Sequence, residues 1–208
     1  MTENTTRKIT VVSSGLSQPS STRLLADRIA TATASALDGK GVTTEITVIE
    51  LRDLAQDITN NLLTGFAPPR LQAAIDTLTE SDGLIAVTPV FTTSYSGLFK
   101  SFVDVLDPQS ITGLPVLLAA TGGTERHSLV IDYAMRPLFT YLHAVPVSTG
   151  VYAASSDWGS AEDALPRRIE RAASELAALV EASDRSQHIR DPFALPEGFS
   201  PVGGFGAQ

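Results

Sequence analysis

Two stretches of this chain, GLIAVT (83–88) and LPVLLAAT (114–121), are short and almost wholly apolar, and KITVVS (8–13) is a short β-branched run. A strand with one wet face alternates polar with apolar residues, so a strand that does not alternate must be covered on both faces. Helices supply that cover when strands run parallel, because a crossover between parallel neighbours is long and usually helical. The intervening sequence fits. STRLLADRIATATASAL (21–37) spaces its apolar residues for one helix face, and PPRLQAAIDTLTESD opens on prolines that suit a first helical turn. TEITVIE (44–50) and VPVSTGVY (145–152) read as further strands, with LRDLAQDITN after the first of them ambiguous. Helices are expected from about Gly97 to Leu106, over 125–144 with a kink at Pro137, and in AEDALPRRIERAASELAALVEAS. Five strand–helix alternations predict a doubly wound α/β fold, a five-stranded parallel sheet with helices on both faces.

At 208 residues the chain is long enough for one substantial core, expected over 1–184. Residues 185–208 are rich in Pro, Gly and Phe without a period and read as an extended arm or a disordered tail. The absence of cysteine excludes disulfides, thiolate catalysis and Cys-ligated metals, and three scattered histidines (127, 143, 188) make no metal site, so none is expected. A net charge of −8 argues against nucleic acid, which demands clustered Lys and Arg. No apolar run is long enough to span a membrane, and the polar MTENTTRK start lacks a signal-peptide core, so a cytoplasmic protein is expected.

In an open parallel sheet, ligands bind beyond the carboxyl ends of the strands. The loop leaving the first strand, SSGLSQPSSTR (13–23), carries five serines and a threonine before a helix N-terminus, where hydroxyls and free N–H groups attract anions. A helix cap with a flexible lead-in is the plainer reading, although one cap needs one hydroxyl. The loop matches neither a Walker nor a dinucleotide pattern, and it has no lysine, which favours a monophosphate. TPVFTTSYSGLFK (88–100) offers N–H groups, hydroxyls and flat rings to a flat polar ligand, unless Phe91 and Tyr95 simply pack in the core. TGGTERH (121–127) adds a Gly-Gly turn that lets backbone approach a ligand closely. Combined, a monophosphate pocket, an aromatic loop and a Gly-Gly floor suit flavin mononucleotide (FMN).

At these residues the chain resembles a known family. SGLSQPSST, TPVFTTSYSGLFKSFVD and ATGGTERHSLVIDYAMRPL together look like the NAD(P)H-dependent FMN reductases, particularly those supplying reduced flavin to two-component monooxygenases of the alkanesulfonate type. The likeness covers about residues 8–157 and implies a flavodoxin-like fold. It implies that Ser14, Ser20, Ser21 and Thr22 hold the FMN phosphate, and that Pro89, Val90, Phe91 and Thr92 line the ribityl chain and ring edge. Thr121, Gly122, Gly123 and Thr124 would meet the pyrimidine end of the ring with backbone N–H groups. Tyr95 stands where sulfonate-linked members carry a tyrosine inserted into an interface helix, an insertion that makes a π turn. His127 would be a further modulator of the site, or a solvated surface residue. Leu16 stands where many members carry arginine, so either Arg23 substitutes or hydroxyls and N–H groups hold the phosphate alone.

The implied chemistry is hydride transfer from C4 of NADPH or NADH to flavin N5, with no catalytic side chain. The implied partners are flavin and nicotinamide nucleotides, a flavin-dependent monooxygenase as recipient, and a second copy of the chain in a homodimer or homotetramer. Self-association is also suggested by Leu98, Phe99, Phe102, Leu138, Phe139 and Tyr141, which occupy more than one face of their helices. Two alternatives share the fold: a quinone or azo-type reductase with tightly held FMN, and a flavodoxin-like electron carrier. Trp158 covers the same sheet end or serves as a packing anchor.

Overall fold

A computed structural model describes residues 6–159, 164–183 and 185. In chain order its strands are β1 (Thr6–Ser13), β2 (Thr43–Glu50), β3 (Gly83–Phe91), β4 (Ser94–Tyr95), β5 (Pro115–Gly122), β6 (Val145–Pro146) and β7 (Val151–Ala154). Its α-helices are α1 (Ser21–Asp38), α2 (Ala55–Thr64), α3 (Pro69–Thr79), α4 (Gly97–Asp104), α5 (Arg136–Tyr141) and α6 (Ala164–Ala182). The strands lie side by side in the order β2-β1-β3-β5, all parallel, with β6 and β7 sharing the place beyond β5. This is the doubly wound order expected, and its reversal point lies between β1 and β3.

The continuous apolar runs are explained by burial on both faces. Ile9, Val11, Ile85, Val87, Leu117 and Ala119 point to one side, where Leu25 and Ile29 of α1 and Ile169 and Leu176 of α6 cover them. Val12, Leu84, Ala86, Val116 and Leu118 point to the other, against Ile58, Leu71, Phe99, Phe102 and Phe139 of α2 to α5. The ambiguous segment after β2 forms a 3₁₀ turn, Leu51–Leu54, leading into α2.

The fifth strand is split where a single one was expected. Val145 and Pro146 pair with Pro115 and Val116, and Val151–Ala154 pair with Ala119–Gly122. Between the pieces, Arg136 draws the carbonyls of Val147 and Ser148 to its guanidinium at 2.9 and 3.1 Å. Glu175 of α6 accepts the N–H and hydroxyl of Thr149 at 2.7 and 2.6 Å. Backbone groups that would continue the ladder are turned to side chains instead. Burial alone would raise the Glu175 carboxyl, but the Thr149 and Arg171 hydrogen bonds outweigh it and hold the group below its usual 4.5. A depressed carboxyl stabilises the fold above its unfolded value and loses that contribution as pH falls through the folded one. Glu175→Gln should therefore flatten the loss of stability on acidification below about pH 4.5; an unchanged acid limb in urea titrations would remove this clamp from the account.

The expected helix over 125–144 is also broken. It comprises a 3₁₀ turn (Glu125–His127), a π turn (Ile131–Met135) and then α5. The cause is Pro137, whose ring in a regular helix would press on the carbonyl of Tyr133 and has no N–H to give it. The chain widens one turn earlier, with Arg136 N–H reaching Ile131 O. Of the six residues whose spread over several helix faces suggested self-association, Phe99, Phe102 and Phe139 are core, Leu98 and Leu138 pack on that core, and Tyr141 is exposed.

At the amino ends of the strands, Arg185 donates to four carbonyls, those of Thr79, Ser81, Ser110 and Thr112, at 2.7 to 3.2 Å. The first residue of the expected arm is thus tied to the body. The remainder, 186–208, lies outside the described residues.

Candidate functional site

All three singled-out loops emerge at the carboxyl ends of β1, β3 and β5, and hydroxyl groups stitch them together. Ser14 N–H donates to Val87 O at 3.0 Å and Ser14 Oγ to the same carbonyl at 3.3 Å. Ser96 Oγ donates to Ser14 Oγ at 3.3 Å, and Ser96 N–H to Thr88 Oγ1 at 3.0 Å. Thr22 and Thr121 share a hydroxyl hydrogen bond of 2.8 Å. Ser14, Thr22, Thr88, Ser96 and Thr121 are all buried, so these hydroxyls fix the loops relative to one another.

That leaves the outer part of the first loop for a ligand. Ser20 caps α1, its Oγ accepting Arg23 N–H at 3.2 Å, while Ser21 is exposed. Of the first-turn N–H groups, that of Leu24 goes to Ser20 O at 3.0 Å, while those of Ser21 and Thr22 precede the first intrahelical bond, and the turn holds no acidic residue in a chain of net charge −8. Gly15 closes the cradle: a Cβ there would stand 2.1 Å from Ser20 Oγ. Ser13 Oγ, in the residue that opens the loop, is fully buried and has no hydrogen-bond partner. This donor set fits a phosphate. The one cation of the loop, Arg23, has its guanidinium engaged by Asp27 at 2.8 Å and by Glu50. Arg52 reaches the loop from the turn after β2, giving Nη1–H to the carbonyl of Leu16 at 3.1 Å. Nothing in sequence spacing marked it.

The second segment is a hairpin rather than a loop into a helix. β3 runs through Pro89 and Val90 to Phe91, and β4 turns back antiparallel, pairing Val90 with Tyr95 and Phe91 with Ser94. The two turn residues, Thr92 and Thr93, have φ of 48° and 71°. Such a turn is the natural place for Asn-Gly, and β-branched residues there are strained. Thr92→Asn combined with Thr93→Gly is expected to stabilise the protein by about 1–3 kcal/mol. A urea midpoint that stays put or falls would show that the threonines carry no strain.

Tyr95 does not sit in a helix. It precedes Ser96, the N-cap of α4, and its half-buried ring lies 5.9 Å from that of Phe99. The π turn inferred there is at Ile131–Met135 instead, and the tyrosine it carries is Tyr133, 78% exposed. The π turn thus lies in the DYAMRP segment, which also carries part of the resemblance, and not in the segment that holds Tyr95. Phe91, half exposed, and Val90 line the hairpin's upper rim with Pro89 buried below, in register with Thr121.

The third loop is held from beneath by Tyr152, which sequence reasoning passed over. Its hydroxyl donates to Thr124 O at 2.6 Å, running past Gly122 so closely that a Cβ there would lie 1.9 Å from it. Burial above all, with the Asp157 and Glu125 carboxylates adding, raises the Tyr152 pKa, so the phenol stays a donor. Gly123 has open space where its Cβ would be. Thr124 Oγ1 caps the 3₁₀ turn that carries Glu125, Arg126 and half-buried His127. Trp158 packs against the α1–α6 side of the core, with the Arg28 guanidinium 5.1 Å above its ring, so it anchors packing.

Comparison with known proteins agrees with this geometry. Residues 7–159 match the model of the family described as NADPH-dependent FMN reductase. An FMN reductase (NADPH) of Pseudomonas aeruginosa is 38% identical over 175 residues, which is 83% of this chain and 91% of the relative. An NADH-dependent FMN reductase, SfnF, of Pseudomonas fluorescens is 36% identical over the same shares of both chains. Among solved structures, an oxidoreductase from Corynebacterium diphtheriae superposes with a TM-score of 0.83 at 46% identity, covering 86% of this chain and 98% of that one. The apo form of an NADH:FMN oxidoreductase, EmoB, gives 0.76 at 26% identity, covering 89% and 96%. With the fold, the three joined loops and these likenesses in agreement, the chain belongs to the NADPH-dependent FMN reductase family.

Proposed function

We propose that this protein reduces FMN at the expense of NAD(P)H and passes the reduced flavin on to a partner, a flavin-dependent monooxygenase. The observation that carries the reading is the acid-free α1 N-terminus with its Gly15–Ser20 cradle, joined by buried hydroxyls to the hairpin and the Thr121–Thr124 edge. When bound, FMN supplies a ring that accepts hydride from the nicotinamide. The protein's part is to bind and orient. Ser20, Ser21 and the first-turn N–H groups would hold the phosphate, with Ser14 and Thr22 fixing the loop from inside. Pro89, Val90, Phe91 and Thr92 would flank the ribityl chain and ring edge. Backbone N–H groups of Thr121 to Thr124 would face the ring's electron-rich end, where they stabilise developing negative charge.

Oxidation of NADH and NADPH by the purified protein, followed with FMN, FAD and riboflavin, tests the reading. FMN is expected to exceed riboflavin in efficiency by about tenfold or more, since a hydrogen bond to a charged group contributes roughly 1.5–3 kcal/mol. No flavin-dependent NAD(P)H oxidation would sink the function. Equal efficiency for FMN and riboflavin would remove the first loop from the site.

Self-association belongs to the same proposal. Leu129, Tyr133 and Tyr141 are 60%, 78% and 72% exposed along the broken helix after β5, an apolar strip suited to a symmetric contact. Light scattering at micromolar concentration should give a dimer or tetramer that Tyr133→Glu dissociates; a monomeric mass for the unsubstituted protein would refute it. The cytoplasmic setting is likewise proposed. Among the described residues no helix is long and apolar enough to cross a membrane.

A further inference from the structure

We infer that Arg52, from the turn after β2, supplies the positive charge of the flavin-phosphate site and makes the protein discriminate for a phosphorylated flavin. The inference rests on the proposed phosphate role of the first loop. A phosphate monoester carries between one and two negative charges at neutral pH, and hydroxyls with N–H groups can orient it without neutralising it. Within 13–23 the only cation is Arg23, and its guanidinium is engaged by the carboxylates of Asp27 and Glu50. The net charge of the chain is −8, so the general field repels the ligand.

Arg52 is placed to reverse that locally. It sits 36 positions from Leu16 in sequence, yet its Nη1 lies 3.1 Å from the Leu16 carbonyl at the rim of the Gly15–Ser20 cradle. Its other contact is a loose one, Nε to Asp53 Oδ1 at 3.7 Å. A guanidinium has five N–H donors in a rigid fork, and one anchoring bond to a loop carbonyl leaves most of them to face an incoming phosphate. Its side chain is 29% exposed, enough to be reached and sheltered enough for its charge to act over a short range without full screening. Ser13 Oγ, in the residue that opens the same loop, is buried without a hydrogen-bond partner, a polar group left unsatisfied by the protein.

The test is direct binding, read by quenching of flavin fluorescence without nicotinamide, for FMN and riboflavin with the unsubstituted protein, Arg52→Gln and Arg52→Lys. Glutamine keeps an N–H donor for the Leu16 carbonyl but no charge. The unsubstituted protein is expected to prefer FMN by about tenfold or more, and Arg52→Gln to lose most of that preference while riboflavin affinity stays level. Arg52→Lys should restore part of it, and added salt should weaken FMN binding more in the unsubstituted protein than in Arg52→Gln. An unsubstituted protein without FMN preference would overturn the phosphate-loop reading and this inference with it. Preference retained in Arg52→Gln, or equal weakening of FMN and riboflavin, would overturn Arg52's role alone. A rise in KM confined to NADPH, with FMN binding unchanged, would assign the cation to the nicotinamide nucleotide and equally overturn it.

Discussion

Gly122→Ala is expected to destabilise the protein by about 2–4 kcal/mol and to weaken its hold on FMN and riboflavin alike by about tenfold. The new Cβ would stand 1.9 Å from the Tyr152 hydroxyl and 3.0 Å from Cζ. Tyr152 cannot swing away cheaply, because it is 5% exposed and its own carbonyl is held by Arg168 at 3.0 Å. Overpacking of this kind costs roughly 1–3 kcal/mol. Loss of the buried hydrogen bond to Thr124 O adds roughly another 1. The same displacement would unseat the 122–124 backbone that the proposed site turns toward the ring. Both flavins share that ring, so both should suffer, unlike the phosphate-selective effect expected at Arg52. Tyr152→Phe in the Gly122→Ala background should recover part of the stability, since it removes the clashing oxygen. A double-mutant cycle on urea midpoints decides it. Additive effects, or a Gly122→Ala protein as stable as its parent, would show that the loop relaxes around the methyl.

That pair also shows where sequence reasoning stops. β3 and β5 are legible because strands covered on both faces need not alternate, β1 as a β-branched run, and α1 to within one residue at its end by its apolar spacing. The split of the last strand is not, because it is imposed by Arg136 and Glu175, on elements remote in sequence from each other. The hairpin at 91–94 escaped notice because its turn is Thr-Thr, without the Asn or Gly that normally announces positive φ. The loops of the site could be named from composition. Which hydroxyls face inward could not, since Ser13, the last residue of β1, and Ser14, just beyond it, are partnered differently. Ser14 joins Ser96 on the α4 side, whereas Ser13 stays unpartnered. Arg52 and Tyr152 act through loop carbonyls from other elements, and a backbone acceptor carries no residue signature.

Arg185→Ala should produce the other large effect, at the opposite end of the sheet. The guanidinium donates to the carbonyls of Thr79 and Ser81, which lead into β3, and of Ser110 and Thr112, which precede β5. These are the two strands whose far ends carry the hairpin and the Gly-Gly loop. Hydrogen bonds from a charged donor contribute roughly 1.5–3 kcal/mol each, but truncation lets water reach part of this exposed rim. A net loss of about 3–5 kcal/mol follows, or roughly 6–20 °C in Tm for a domain of this size. Burial lowers the Arg185 pKa, yet no other common side chain replaces its geometry. Lysine keeps the charge as a single point with three donors, so Arg185→Lys should recover less than half of the loss. Because the contact lies a strand's length from the site, flavin affinity of the folded fraction should not change. The comparison is made by urea unfolding beside fluorescence titration of each variant. A thermal shift of only a degree or two, or a loss of flavin binding in a protein still fully folded, would show that Arg185 is not a clamp on the strand starts.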